Sequence, residues 1–242
     1  MDIRFIPLDL CSFKSIRAAA AQFQADSEQL DTLILNAGTM GNAAGKTEDG
    51  FEIQLGTNHV GHFLLTKLLL PTLQKTVARA RAQGVEPDVR VVSVSSAAHA
   101  ISPSFEDITS TPSLLEMSTW HRYGASKAAN IFFAAELARR YPEILSVSVH
   151  PGAVNSDLYA HAKASGSGIK FGLNAASSLF FRGVGSGALN TLWAASAPRS
   201  NLVNGAYYSP VGYRCGGTAF VQDADVAQRL WDWTEAEISE RS

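Results

Sequence analysis

The sequence predicts an α/β fold, a mainly parallel open sheet flanked by helices, and three observations predict it. Short runs rich in β-branched residues or leucine alternate with longer segments of helical character, the pattern of a parallel sheet covered by helices. The short runs are nearly continuous in apolar content, as expected of strands buried on both faces. The chain has 242 residues, 46% of them hydrophobic, enough for a large core in a single domain spanning 1–242.

In chain order the expected strands are Ile3 to Leu8, Thr32 to Asn36, Arg90 to Ser95, Leu145 to Val149 and Ala206 to Ser209. The expected helices are Phe13 to Phe23, Phe51 to Thr76, Tyr123 to Arg140, Gly187 to Ala195 and Ala224 to Glu240. The last sets Val226, Leu230, Trp231 and Ile238 against Asp232, Glu235 and Glu237, so it reads as a helix covering the sheet. Between Ala98 and Trp120 the chain is rich in Ser, Thr and Pro, and between Ala160 and Gly187 in Gly, Ser and Phe. Both read as loops over a site, and residues 157–187 as a substrate lid. No internal repeat is visible.

Acidic and basic residues nearly cancel, giving a formal charge of -2 without a block of either sign, so nothing points to nucleic acid or an anionic membrane. A small molecule is the expected partner. Cys11 and Cys215 lie far apart, without CxxC or Cys/His spacing, which fits free thiols in a reducing compartment and no zinc site. Asp2, Arg4 and Asp9 exclude the first ten residues as a signal peptide core or membrane span, and the apolar stretch Phe63 to Leu73 is short and interrupted by Lys67. The expectation is a cytoplasmic protein with no membrane span.

Chemistry concentrates at Tyr123-Gly-Ala-Ser-Lys127, where a phenol and an ammonium share one helix face. A cation near a tyrosine favours the phenolate, which lets the phenol exchange a proton with an alcohol or ketone near neutral pH. The pair alone is a short motif that chance supplies readily. Other groups fall at the ends of expected strands, where open α/β sheets bind ligands. Ser95-Ser96 could hydrogen-bond a substrate oxygen as charge develops on it, or close a turn. Asn36-Ala37-Gly38 allows close backbone approach to a cofactor, or is a simple strand-to-loop turn. Pro151-Gly152 follows the strand ending at Val149, with Ser156 a few residues on. His59 and His62 stand on a helix beside Asn58, but no Cys or carboxylate completes a metal set, so no metal is expected.

Together these stretches resemble the short-chain dehydrogenase/reductase family, and within it the retinol-dehydrogenase-like group. The resemblance runs nearly end to end: Phe5-Ile-Pro-Leu-Asp-Leu10, Leu35-Asn-Ala-Gly38, Thr57-Asn-His-Val-Gly-His-Phe-Leu-Leu-Thr66, Val92-Ser-Val-Ser-Ser-Ala-Ala-His99, Tyr123-Gly-Ala-Ser-Lys-Ala-Ala-Asn130 and His150-Pro-Gly-Ala-Val-Asn-Ser156. It implies a Rossmann-like fold and a tetrad of Asn58, Ser96, Tyr123 and Lys127. Tyr123 would pass the proton, Ser96 orient the substrate oxygen, Lys127 hold the nicotinamide ribose and tune Tyr123, and Asn58 anchor a relay water. It further implies NADP, with NAD as the alternative: Asp9 would meet the adenine, Asn36, Ala37 and Gly38 line the adenosine side, and Pro151, Gly152, Val154 and Ser156 cradle the nicotinamide. Asp9 and Asn58 have a second reading as a cap or a core hydrogen bond.

Family members open with a strand, a glycine-rich turn and a helix that hold the pyrophosphate. This sequence opens at what resembles the family's third strand, so an N-terminally truncated version of the fold is expected. Neither Gly183-Val-Gly-Ser-Gly187 nor Gly38-Thr-Met-Gly41 has the strand-turn-helix context of a phosphate cradle. Deprived of its neighbours, Ile3 to Leu8 is expected either to move beside Thr32 to Asn36 as a βαβ unit or to stay displaced and mobile. Two functions follow as expectations. The first is an oxidoreductase interconverting an alcohol and a ketone or aldehyde on a bulky apolar substrate, suggested by Phe171, Leu173, Leu179, Phe180 and Phe181. The second is a catalytically impaired remnant acting as a binding or regulatory subunit. Ile131, Phe132, Phe133 and Leu137 surround much of one helix, which suggests a homodimer contact.

Overall fold

Among the described residues five short strands line up in one sheet in the order of the chain: β1 (Thr32–Leu35), β2 (Arg90–Val94), β3 (Leu145–Val149), β4 (Tyr207–Ser209) and β5 (Tyr213–Cys215). The computed structural model describes residues 3–152 and 184–241. β1 through β4 run parallel, with Thr32 opposite Arg90, Val94 opposite Val149 and Ser148 opposite Tyr207, and only β5 turns back antiparallel. β2 and β3 are buried along their whole length, and the charge of Arg90 is met there by Asp88 and by the carbonyls of Ala194 and Ala197.

Helices cover both faces. Around the sheet stand α1 (Phe13–Asp26), α2 (Ile53–Leu55), α3 (Gly61–Ala82), α4 (Phe105–Ile108), α5 (Thr111–Glu116), α6 (Thr119–Arg140), α7 (Val184–Ser196) and α8 (Ala224–Glu240). Val92, Val94, Leu145, Val147 and Val149 pack with Ala194 of α7 and with Leu202 and Tyr208. Strand alternation turns Val91, Ser146 and Ser148 to the other face, where Ala125, Ala128 and Ala129 of α6 are fully buried. Small side chains on both partners let α6 lie close to β2 and β3.

Several expectations need correction. Residues 3–8 form no strand and do not join β1; Ile3 and Phe5 are 83% and 84% exposed. Pro7 has no amide to donate, and the chain beyond it is pinned elsewhere. Leu10 is buried with its carbonyl oxygen 2.5 Å from where a Cβ on Gly61 would stand, and Phe13 N donates to Asp49 Oδ2 at 2.9 Å. The helix expected from Phe51 to Thr76 is instead α2, a π turn over Gly56–Val60, and α3. The stretch between Ala98 and Trp120 contains a 3₁₀ turn (Ala97–Ile101), α4 and α5. Several of its serines are caps and one proline a helix start: Ser104 accepts from Asp107 N, Ser110 from Ser113 N, and Pro112 lies in the first turn of α5. β5 went unforeseen, being three residues long and set off only by the turn at Gly212, φ 71°.

The C-terminal helix covers another helix and not the sheet. Trp231 of α8 stacks on Phe133 of α6, rings 5.8 Å apart and 7° from parallel, and meets Phe63 of α3 edge-on at 4.6 Å. Ile131, Phe132, Phe133 and Leu137 are therefore buried within the chain, and they supply no argument for a subunit contact. The expected lid lies outside the described residues except for Val184 to Gly187, which form the start of α7. No described helix is long and apolar enough to cross a membrane.

Candidate active site

The parallel register brings three strand ends to one edge of the sheet, so that Asn36 to Gly38, Ser95-Ser96 and His150 to Gly152 leave it side by side. Three hydrogen bonds fasten the middle one to α6. Lys127 Nζ donates to Val94 O at 2.9 Å, Asn130 Nδ2 donates to the same oxygen at 3.0 Å, and Ser95 Oγ donates to Lys127 O at 2.6 Å. The ammonium sits 5.5 Å from the centre of the Tyr123 ring. Both side chains are nearly buried, and burial pulls the Lys127 pKa down to about 8.

Ser96 caps the 3₁₀ turn, its Oγ accepting from Ala98 N at 3.2 Å. That turn lies against α6 next to the tyrosine: a Cβ on Gly124 would stand 2.8 Å from Ala98 O, so glycine is required there. Thus Ser96, Tyr123 and Lys127, read from sequence as partners, are joined through the end of β2 and the turn that follows it.

Asn58 arrives from the π turn, a device that inserts an extra residue into a helix and is frequent at functional sites. Glycines make room at both ends of it. A Cβ on Gly56 would meet Thr47 Cγ2 at 2.5 Å, and one on Gly61 would meet Leu10 O. The Asn58 amide is fully buried and spent as a bracket: Oδ1 accepts from Thr39 N at 2.7 Å, and Nδ2 donates to Thr39 O and to Ser126 Oγ, each at 2.9 Å. Ser126 Oγ in turn donates to Tyr123 O at 2.8 Å, linking the bracket to α6. Gly38 passes directly over this group, its missing Cβ 2.9 Å from Asn58 Oδ1 and 3.7 Å from Lys127 Nζ.

The loop after Gly38 is tied down by groups that sequence reading missed. Arg122 donates to Asn42 O at 2.9 Å, to Ala43 O at 3.3 Å and to Glu52 Oε1 at 3.0 Å, while Glu52 Oε2 accepts from the amides of Gln54 and Leu55. Gln54 accepts from Gly41 N and donates to Thr119 O. These residues are polar, far apart in sequence and carry no motif; a buried Arg beside the tyrosine shows its purpose only once Glu52 is across from it.

Asp9, exposed in the segment ahead of α1, uses Oδ1 to accept from Cys11 N at 2.8 Å, a local turn. At the third strand end, Asn190 donates to His150 O and Tyr208 O and accepts from Gly212 N, fixing the chain that enters Pro151-Gly152, where Gly152 has φ 89°. Val154 and Ser156 lie outside the described residues. His59 and His62 are buried apart from any metal geometry: His59 Nε2 meets Thr234 Oγ1 at 3.2 Å and His62 Nδ1 donates to Asn58 O at 3.0 Å. Burial brings their pKa values to about 3 and about 4, so both are neutral. Among the described residues no three His, Cys, Asp or Glu side chains cluster as metal ligands. A cavity of about 690 Å³ between α1 and α3, lined by Gln24, Glu28, Lys75 and Arg79 among others, includes none of the candidate site residues.

The chain is similar end to end to known proteins. A short-chain dehydrogenase/reductase of Armillaria gallica is 34% identical over 240 residues, 98% of this chain and 74% of that protein. The family description "short chain dehydrogenase" matches residues 1–105. The chain belongs to the short-chain dehydrogenase/reductase family. Human retinol dehydrogenase 12 is 39% identical over 228 residues, 93% of this chain and 66% of its own length, in keeping with the retinol-dehydrogenase-like group. The crystal structure of an uncharacterized protein from Mycobacterium paratuberculosis superposes with TM-score 0.67 at 31% identity, covering 96% of this chain and 74% of that one. Membership makes the chain an oxidoreductase of the nicotinamide-dependent class.

The residues present at Gly38 and Lys127 leave room and donors for such a cofactor. Gly38 keeps the space beside Lys127 free of a side chain, and Val94 O takes one of the three donors of the ammonium. Neither glycine-rich stretch serves as a phosphate cradle by its context: no helix opens after Gly38 to Gly41 until Ile53, and Gly185 and Gly187 are already inside α7.

Proposed function

We propose that this chain interconverts an alcohol and a ketone or aldehyde on a bulky apolar substrate, using NADP(H) or NAD(H), and acts as one domain over 1–242. The reading is carried by one observation, the Lys127 ammonium held by Val94 O at the end of β2 beside the Tyr123 ring. A bound nicotinamide would supply or accept the hydride. The protein's share is the proton and the orientation. Tyr123 gives or takes the proton at its phenol oxygen, and the neighbouring ammonium favours the phenolate form. Ser96 already receives Ala98 N–H on one lone pair, so its own O–H is the group to present to the substrate oxygen. Lys127 also offers donors to the ribose. The side chain of Asn58 is engaged by Thr39 and Ser126, so its part as a water anchor falls to its backbone carbonyl, which also accepts from His62 Nδ1.

Similarity to a retinol dehydrogenase, an enzyme named for an apolar alcohol, supports the substrate class. Two free thiols support a cytoplasmic location. The test is fluorescence titration with NADPH and NADH, followed by turnover on long-chain and retinoid alcohols and aldehydes. Saturable binding is expected, with Tyr123→Phe keeping the binding and losing turnover by at least about 100-fold. A chain that binds neither nucleotide at millimolar concentration is the remnant and not the enzyme.

A further inference from the structure

Ser96 is held less by its own hydroxyl than by its carbonyl. The hydroxyl contact to Ala98 N is long, 3.2 Å, whereas Ser96 O accepts two hydrogen bonds from one residue: His99 N at 3.1 Å and His99 Nδ1 at 2.7 Å. A carbonyl only accepts, so Nδ1 carries the ring proton and the tautomer is fixed. The ring is 8% exposed and walled on its other sides by parts of the chain more than a hundred residues away. Tyr207 of β4 meets it edge-on at 5.1 Å and 76°, and Gly217, φ 71°, runs so near that a Cβ there would be 2.9 Å from Nε2.

We propose that His99 is a positioning residue for Ser96. Gripped by the imidazole, the Ser96 peptide cannot rotate, and the hydroxyl is kept at the one angle where Ala98 N–H occupies its lone pair and its proton faces outward. The β4–β5 region thereby sets the geometry of a hydroxyl on β2 through the back of a histidine. This inference rests on the reading of Ser96 as the group that orients the substrate oxygen.

Because Ser96 acts on charge that develops during reaction, loss of its positioning falls on kcat and spares KM. His99→Phe keeps a ring against Tyr207 and removes the donor; His99→Asn places an amide N–H where Nδ1–H stood; His99→Gln places it one bond too far. Expected are a fall in kcat of about 10-fold for His99→Phe with KM within about 2-fold, recovery to within about 3-fold of the parent in His99→Asn, and no recovery in His99→Gln. In a Ser96→Ala background, His99→Phe should add nothing. If Ser96→Ala itself leaves kcat unchanged, the reading of Ser96 is wrong and the inference goes with it. If Ser96→Ala is impaired but His99→Phe lowers kcat by the same factor in both backgrounds, or Asn and Gln behave alike, Ser96 stands and the role of His99 is overturned. Melting temperatures of the three His99 variants identify any loss due to misfolding, and the Asn/Gln contrast between equally stable proteins then decides.

Discussion

Lys127 shows how one buried charge ties pH to both activity and stability. Burial lowers its pKa from the ordinary 10.5 to about 8. Below about 8 the ammonium is present and can support the Tyr123 phenolate; above it the charge is lost, so turnover is expected to fall as pH rises through that value. The effect on stability has the opposite sign. Between about 8 and 10.5 the unfolded chain holds the proton that the folded chain has released, so folding becomes more favourable as pH rises across this window. Turnover and urea midpoints measured from pH 7 to 10 should therefore diverge, and a kcat/KM profile flat through pH 9 would refute the assignment. Tyr123 and Lys127 were legible in sequence as one helix face and Ser96 as a strand end, and the family resemblance joined the three into one candidate set. Arg122, Ser126, Asn130 and His99 were not, since each is defined by a partner on another element; Arg122 and Glu52 are 70 positions apart.

At the scale of elements, α8 is the clamp that lets α6 be apolar nearly all round. Trp231 is 2% exposed, stacked on Phe133, edge-on to Phe63 and flanked by the cations of Lys67 and Arg140. Trp231→Ala is expected to cost about 3–5 kcal/mol in urea unfolding, the usual range for a large aromatic removed from a core. Trp231→Phe should cost much less, because it keeps the stack and removes an indole N–H that has no acceptor among the described residues. Equal losses in the two variants would mean that the ring contact with Phe133 contributes little. The amphipathic pattern of α8 was plain from sequence, but not the surface it covers. The π turn was hidden because hydrophobic periodicity tolerates one inserted residue, and the glycines that permit it, Gly56 and Gly61, need the crowding of Thr47 and Leu10 to be understood.

Across the whole molecule, the strand order among the described residues leaves β1 paired only with β2, with Ile34 39% exposed, while residues 3–8 lie outside the sheet's ladders. Hydrogen exchange is expected to divide along this line. Amides of Phe5, Ile6 and Leu8 should exchange quickly, and those of β2 and β3, buried throughout, only in global unfolding. Slow exchange at Phe5 and Ile6 would mean that this segment is paired in solution after all. The alternation of strands and helices announced the sheet and four of its strands, with β3 matching to the residue. It could not say where the first segment would go, because that depends on anchors at Leu10, Phe13 and Gly61 that pull it away from β1.

What the sequence determined by itself is whatever short-range periodicity controls: an α/β fold, the strand ends at one edge, and a phenol and an ammonium one helical turn apart. Tertiary structure alone decided which polar groups hold that pair in place, the path of the N-terminal segment, and what covers α6. Hydrogen bonds and packing between distant segments depend on a geometry that exists only after the chain has closed on itself, and no local pattern of residues encodes it in readable form.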